Sequence, residues 1–398
     1  MSKKEQLRAF HVMAKPTGSR CNLACEYCFF LKKNYLYPQS NFQMTDKIME
    51  SHIRQTIGAH KSPVVTIAWQ GGEPTLMGID FFRRSIEIIK KNARREIQVE
   101  NTLQTNGVLI DDEWCRFLQE NKFLVGISVD GPKHLHDIYR KDKKGNSVYN
   151  QVINAVRLMQ KYHVEFNILC TVNAKNSQFP LEIYRFFRDE LKTPYLQFIP
   201  IVERKNENGN QEGTSITERS VRSRHYGKFL IEIFDEWVRN DVGSMFVQLF
   251  DGVLASYVRG YSSLCIFSPR CGEGVALEHN GDVYSCDHFV EPKFLLGNIT
   301  KTHISDLVFS EKQRSFGESK YKTLPNYCSN CEFLFTCYGE CPKNRVLTSP
   351  DGEQGLNWLC SGLKAFFAHT RNHMELLAAL LRRGSDASGI MKITQRRD

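Results

Sequence analysis

Three cysteines, Cys21, Cys25 and Cys28, stand at i, i+4 and i+7, directly after an apolar run from Phe10 to Ala14 and the turn-prone Pro16-Thr17-Gly18-Ser19. Thiolates at this spacing can wrap one face of an iron–sulfur cluster, whose protein ligands are typically cysteine sulfurs. A cubane cluster takes four ligands, so three local cysteines leave one iron open. Two other readings stand beside it: a zinc site, and three buried thiols on one helical face, since these positions line up along a helix. Zinc loops more often repeat C-x2-C pairs. The turn residues before Cys21 argue against a helix that begins earlier.

Eight more cysteines fall in the carboxyl-terminal third, at Cys265, Cys271, Cys286, Cys328, Cys331, Cys337, Cys341 and Cys360. Two four-cysteine sites would use all of them, with structural zinc as the alternative to iron. Cys115 lies in a helical pattern and Cys170 in an apolar strand, where free cysteine is ordinarily a core residue. Gly71-Gly72-Glu73-Pro74 follows another apolar strand. Glycine lets a backbone approach a ligand closely, and a free carbonyl or carboxylate there can hold a cationic amino group. Alone, the same four residues make only a turn.

The elements that must position these groups are legible from periodicity. Candidate strands are Phe10–Ala14, Val64–Trp69, Gln98–Gln104, Leu124–Val129, Val164–Val172 and Tyr195–Pro200. Amphipathic segments lie between them, near Asp46–Ile57, Ile79–Asn92, Asp111–Glu120, Tyr149–Tyr162 and Pro180–Leu191. This alternation predicts βαβ units and a parallel sheet. Six such strands make a partial barrel, with chemistry at the carboxyl ends of its strands. Residues 203–217 read as an exposed loop, and a helix is expected from about Val221 to Asn240. From Cys265 the periodicity is lost. Such a segment buries little apolar surface, so bound metal is expected to hold it together. A last amphipathic helix runs from about Leu363 to Arg382, and the tail after Gly384 has no pattern.

The 398 residues, 41% hydrophobic and 24% charged, suit a soluble globular protein of two or three domains. No apolar run approaches the ~20 residues that span a bilayer. Met1-Ser2-Lys3-Lys4-Glu5 is followed by no signal-peptide core, which points to the cytoplasm. There, thirteen cysteines indicate metal or redox chemistry rather than disulfides. The net charge of +9 is spread out, and Lys141-Asp142-Lys143-Lys144 reads as a solvated loop. No segment interleaves aromatic and basic residues as a nucleic-acid surface would.

The pattern Cys21-x3-Cys25-x-Tyr27-Cys28 resembles the signature of radical S-adenosylmethionine (SAM) enzymes. Further stretches are similar to one branch, the anaerobic sulfatase-maturating enzymes: Gln70-Gly71-Gly72-Glu73-Pro74-Thr75, Leu103-Gln104-Thr105-Asn106-Gly107, Ser128-Val129-Asp130-Gly131-Pro132 and Phe166-Asn167-Ile168-Leu169-Cys170. The spacing from Cys328 to Cys341 resembles the SPASM module. The resemblance implies an α/β fold: a partial (β/α)6 TIM-type radical SAM barrel, a cysteine-rich iron–sulfur (SPASM) domain and a C-terminal helix. The corresponding spans are residues 1–240 for the barrel, 241–384 for the second domain with its helix, and 385–398 for a disordered tail.

The resemblance also implies cofactors and roles. Three [4Fe-4S] clusters are expected: one on Cys21, Cys25 and Cys28 that coordinates SAM, one auxiliary cluster on Cys265, Cys271, Cys286 and Cys341, and another on Cys328, Cys331, Cys337 and Cys360. Gly71, Gly72 and Glu73, with Gln70 beside them, would bind the SAM amino group. Ser128 and Asp130 would line the SAM pocket, and Tyr27 and Phe30 would form apolar surroundings. Asp287, in Gly281-Asp282-Val283-Tyr284-Ser285-Cys286-Asp287, would be the general base. The implied reaction removes a β-hydrogen from a peptidyl cysteine or serine of an unfolded or nascent sulfatase and yields Cα-formylglycine. An electron donor such as flavodoxin or ferredoxin would serve it, with no nucleic acid and no membrane involved. The alternatives are a radical SAM maturase that forms thioether or carbon–carbon crosslinks in a small precursor peptide, and a non-catalytic zinc scaffold.

Overall fold

The computed structural model describes residues 9–394. The start, Met1 to Glu5, and the last four residues of the tail lie outside them. The six expected strands form as β1 (His11–Lys15), β2 (Val64–Trp69), β3 (Gln98–Thr105), β4 (Phe123–Ser128), β5 (Glu165–Val172) and β6 (Tyr195–Pro200). Each pairs in parallel with the next, and a two-residue β7 (Phe246–Val247) follows β6. Helices over Asp46–Ala59, Ile79–Asn92, Asp112–Glu120 and Tyr149–Lys161 make the crossovers. Thr45 and Asp111 start two of them by accepting a bond from the amide three residues on. The segment expected as one helix over Pro180–Leu191 is instead an α-helix, Pro180–Arg185, that widens into a π-helical turn, Phe186–Glu190.

The sheet does not stop at the barrel. β8 (Gly274–Glu278) returns from the cysteine-rich region and pairs in parallel with β1 on its free edge; β9 (Asp282–Tyr284) and β10 (Leu295–Asn298) continue it antiparallel. Val275, Ala276 and Leu277 are 0% exposed. The expectation that this region buries little apolar surface is thus corrected: a three-residue apolar run is too short to show a period, but it suffices for a buried strand. The region also holds a helix over Gln248–Arg259, and the tail folds into a short helix, Gly389–Thr394, that buries Ile390 against the Ser223–Asn240 helix. The Phe166–Cys170 stretch lies inside β5 rather than at its end.

Register fixes which residues share a face. Ile67, Leu103, Val125, Ile127 and Ile168 point under the helices and are buried. The concave face carries Met13 and Lys15, Ala68, Thr102 and Gln104, Gly126 and Ser128, Asn167 and Leu169, and Gln197. One side of the sheet is hydrocarbon and the other is largely polar or small.

The helices Ser223–Asn240 and Cys360–Arg382 cross at two glycines. A Cβ on Gly227 would lie 2.6 Å from the Gly362 carbonyl, and one on Gly362 would strike the Ser223 carbonyl. Gly362→Ala is therefore expected to destabilise the protein by about 1–3 kcal/mol, as overpacking does, and to lower iron content by shifting Cys360. Anaerobic thermal unfolding and iron assay would read both.

Candidate functional site

The loop from Cys21 to Cys28 leaves β1 through a turn in which Gly18 N bonds the Lys15 carbonyl (3.0 Å). The basic stretch beyond β4 is a solvated loop, exposed from Lys143 to Ser147, whose backbone start flanks the cysteine loop. Ala24 N donates to Lys141 O (2.9 Å), Glu26 N donates to Tyr139 O (3.3 Å), and Leu23 bridges Asp142. From the end of β3, Asn106 Nδ2 donates to Asn22 Oδ1 (2.8 Å) and toward Cys21 Sγ (3.6 Å), while Leu23 N donates to the same sulfur (3.3 Å). The three thiols lie close enough to feel one another's charge. Burial pushes Cys21 up to about 12 and Cys25 up to about 11.

Two carboxylates expected to face a ligand are turned inward. Glu73 Oε1 accepts from Thr75 N (3.1 Å), Thr75 Oγ1 (2.7 Å) and Thr105 Oγ1 (2.7 Å), and Oε2 accepts from Asn106 N (2.8 Å). Burial raises this carboxyl against the pull of those bonds. Its side chain therefore ties β2 to β3. Asp130 accepts from the Tyr27 hydroxyl (2.5 Å), Arg140 Nε (2.9 Å) and Thr171 N (3.0 Å). Burial pushes its carboxyl up; the Arg140 guanidinium, with His136 and the Tyr27 hydroxyl, more than offsets this and holds it below the usual range. Asp130 thus braces the cysteine loop through Tyr27.

The two glycines also answer to the protein. A Cβ on Gly72 would strike the Arg20 carbonyl, and Gly71 has φ +120° with Lys15 Cβ 2.9 Å from where its Cβ would be. Gly72 N bonds Gly18 O (2.7 Å) and Glu73 N bonds Arg20 O (2.9 Å), so this loop lies flat along the cysteine loop. Among the described residues, the carbonyls of Gly71 and Gly72 accept no hydrogen bond. Beside them Gln70 Nε2 is buried without a partner, as are Asn167 Oδ1 and Thr171 Oγ1 across the concave face. Ser128 ends β4 on that face.

Asp287 arrives from the other half of the chain. It follows Cys286 just after β9, is 19% exposed, and is ion-paired with Lys15, itself 2% exposed, at the end of β1. Lys15 Nζ also lies 4.1 Å over the Phe30 ring, which packs with Ala276, Tyr284 and Val290. Burial raises the Asp287 carboxyl, but Lys15, His288 and Lys343 together bring it below its ordinary value. A cleft lined by Tyr27, Phe29, Lys32, Glu203, His288 and Lys343 opens here. The loop after β6 straps its rim. Asn210 Oδ1 accepts from Lys33 Nζ (2.9 Å) and Tyr35 OH (2.8 Å), and Gln211 N donates to Glu291 Oε1 (2.6 Å).

The remaining cysteines divide into two sets by mutual electrostatic interaction: Cys265, Cys271, Cys286 and Cys341, and separately Cys328, Cys331, Cys337 and Cys360. The second set lines one small pocket. Cys115 and Cys170 are buried in the core. Among the described residues no three Cys, His, Asp or Glu side chains converge closely enough for a single ion. Lys15, Arg140 and Asn106 were not singled out by sequence reasoning. A lysine closing an otherwise apolar buried strand is a usable signal for Lys15; Arg140 is hidden at the head of a basic run.

Replacing Arg140 by Leu strands Asp130 as a buried, uncompensated charge, at a cost of about 3–5 kcal/mol. In the parent the depressed Asp130 contributes stability above its unfolded pKa and loses it only as pH falls through the lower, folded value. In Arg140→Leu the folded carboxyl titrates above the unfolded one, so protonation relieves the strain. The deficit in thermal stability is expected to be largest near pH 7.5 and smaller near pH 5.5; a deficit that grows on acidification contradicts the brace.

Residues 16–178 match the radical SAM superfamily, and residues 265–332 match the SPASM iron–sulfur cluster-binding domain. Over 396 residues the chain is 42% identical to a serine-type anaerobic sulfatase-maturating enzyme of Bacteroides thetaiotaomicron, spanning 97% of this chain and 95% of that protein. A cysteine-type enzyme of Clostridium perfringens is 35% identical over 90% of this chain and 95% of that one. A solved structure described as native anSMEcpe with bound AdoMet and Cp18Cys peptide is similar with TM-score 0.83 and 33% identity, over 93% of this chain and 99% of that chain. Streptococcus suis SuiB bound to its precursor peptide SuiA, at 17% identity and TM-score 0.63 over 90% of this chain and 77% of that one, shares the fold alone. Among the described residues no helix is long and apolar enough to cross a membrane. The chain belongs to the anaerobic sulfatase-maturating enzymes of the radical SAM superfamily.

Proposed function

We propose that this enzyme oxidises a cysteine or serine side chain in an unfolded or nascent sulfatase polypeptide to Cα-formylglycine. The observation that carries this reading is the delivery of Asp287 from the cysteine-rich region to the mouth of the barrel, beside the cleft and the Cys21–Cys28 loop. Chain-long identity to both serine-type and cysteine-type relatives supports it. A crosslinking maturase of a small precursor peptide has only the shared fold in its favour.

Cys21, Cys25 and Cys28 hold the first [4Fe-4S] cluster, with the Leu23 and Asn106 donors beside Cys21 Sγ tuning that ligand. When bound, this cluster and SAM supply one-electron cleavage of SAM and a radical able to abstract hydrogen. The unpartnered buried atoms of Gln70, Asn167 and Thr171 and the free carbonyls of Gly71 and Gly72 suit a polar ligand bearing an ammonium group. Gln70, Gly71, Gly72 and Ser128 contact SAM. Glu73, Tyr27 and Asp130 act one step back, fixing the loops that make those contacts.

Asp287 removes the thiol or hydroxyl proton, and Lys15 keeps its carboxylate charged and aimed. The strap after β6 restricts water at the cleft. The sets of three, four and four thiols, with no single-ion site among the described residues, fit four-iron bodies better than zinc. Residues 1–240 serve as the barrel that activates SAM. Residues 241–384 serve as the domain whose two four-cysteine sets would hold two auxiliary clusters, and these would supply an acceptor for the remaining electron. A small acidic carrier, flavodoxin or ferredoxin, reduces the enzyme in the cytoplasm.

Mass spectrometry of a sulfatase peptide incubated anaerobically with enzyme, SAM and reductant tests the reading. Formylglycine lowers peptide mass by roughly 18 Da from cysteine and roughly 2 Da from serine, by composition, and carries an aldehyde that a hydrazide probe captures; a crosslink also loses roughly 2 Da but leaves no aldehyde, and that outcome refutes the reading. Replacing Cys21, Cys25 and Cys28 together by alanine is expected to abolish 5′-deoxyadenosine formation while auxiliary iron persists. Undiminished cleavage of SAM in that variant would sink the assignment of the first site. Asp287→Asn keeps the shape and removes basicity. It should retain SAM cleavage yet lose formylglycine by about a hundred- to ten-thousand-fold; product at the parent rate would exclude Asp287 as the base.

A further inference from the structure

Two cations stand where the two four-cysteine sets meet. Lys320, on the helix Glu311–Lys322, is 1% exposed, and its ammonium donates to the carbonyls of Cys265 (2.5 Å) and Ile266 (2.8 Å). The Arg345 guanidinium donates to the carbonyls of Tyr338 (2.9 Å), Gly339 (3.2 Å) and Lys320 (2.6 Å). Tyr338 and Gly339 separate Cys337, of one set, from Cys341, of the other. Among the described residues neither cation is ion-paired with a carboxylate. Glu340 acts on both from a distance, and its Oε2 accepts from Asn344 (2.8 Å) and Asn357 (2.7 Å).

Burying a cation without counter-charge is strongly unfavourable. Burial lowers both groups; chief among those opposing it are thiols, Cys341, Cys271 and Cys265 for Lys320, and Cys341 and Cys328 for Arg345. Held as thiolates by iron, the cysteine sets themselves would supply the counter-charge. Each turnover takes a hydrogen atom, a proton and one further electron from the substrate side chain. A four-iron cluster with four thiolates carries two net negative charges when oxidised and three after accepting that electron. A fixed positive charge beside it favours the reduced form.

We propose that Lys320 and Arg345 set the reduction potentials of the auxiliary clusters, raising them so that the substrate's last electron is accepted. The proposal rests on the reading of these two sets as cluster ligands. Potentiometric titration followed by electron paramagnetic resonance tests it, in the full chain carrying alanine at Cys21, Cys25 and Cys28 so that only auxiliary clusters respond. Lys320→Met should lower the potential of the cluster on Cys265, Cys271, Cys286 and Cys341 by about 59 mV or more, a tenfold change for a one-electron couple. Lys320→Arg and Arg345→Lys, which keep the charge, should stay within that margin of the parent. Unchanged potentials in iron-replete Lys320→Met overturn the proposal. If Lys320→Met fails to retain iron, Lys320→Arg decides: retention there is what charge compensation requires, and loss in both assigns the side chain to shape alone. Parent protein that binds zinc and no iron would instead break the underlying cluster reading, an outcome separate from unchanged potentials.

Discussion

Lys15 and Asp287 lie far apart in the sequence, and the ion pair between them depends on one strand pairing. β8 runs parallel to β1 in a register that sets Lys15 beside Glu278, and the short β9 then turns the chain back to Cys286 and Asp287. The pairing is held by apolar side chains of both strands, Val12 and Ala14 on β1 and Val275, Ala276 and Leu277 on β8. A sheet edge that would otherwise need protection is used to carry a carboxylate into the barrel mouth. The same geometry anchors Asp287 twice, through Lys15 and through the backbone of its neighbour Cys286. A carboxylate held from two sides has little freedom left to lose, which is what the proposed role as base asks of it.

The first cysteine loop depends on a different device. Its flanking carboxylates, Glu73 and Asp130, are buried and saturated by hydrogen bonds from neighbouring strand ends. A satisfied buried network rigidifies what it joins, whereas a half-satisfied one would be strongly destabilising. The loop can therefore be stiff without regular structure. Its outward-facing groups are then the thiols, the amides near Cys21 and the carbonyls of Gly71 and Gly72. Rigid presentation of this kind matters most for a site that must control a reactive radical.

Much of this was legible in the sequence, and the failures have physical causes. Periodic segments read correctly: β2, β6 and the Ile79–Asn92 helix have the expected bounds, and the cysteines read from their helical and strand context as core thiols, Cys115 and Cys170, are buried. Short apolar runs did not announce themselves, so β8, the strand on which the site depends, passed as irregular chain. The acids of the matched motifs, Glu73 and Asp130, were found as positions but their directions were not, because whether a carboxylate faces ligand or protein is decided by partners far away in sequence. Asp130 finds Tyr27 more than a hundred residues earlier. The loop at residues 203–217 read as exposed, and 205, 207, 208 and 212–215 are; its middle is tied down, with the Asn210 side chain accepting from Lys33 and Tyr35 and the Gln211 backbone amide donating to Glu291.

The thiols bring folding and metal assembly into one argument. Burial pushes Cys337 and Cys341 up to about 12 and Cys271 and Cys360 up to about 11, so in the metal-free protein they are protonated at neutral pH. Iron binding must release those protons, which makes cluster assembly pH-dependent and couples it to folding. The coupling is uneven along the chain. The barrel and β8 have a continuous apolar core that needs no metal. The turns between Asn326 and Asn344 are short helices and loops around four thiols, with Phe333 the one large apolar side chain buried deep in the core among them. The sheet is thus held by hydrocarbon, whereas these turns are gathered around Phe333 and their thiols, so loss of the metal ligands should loosen the turns before it loosens the barrel.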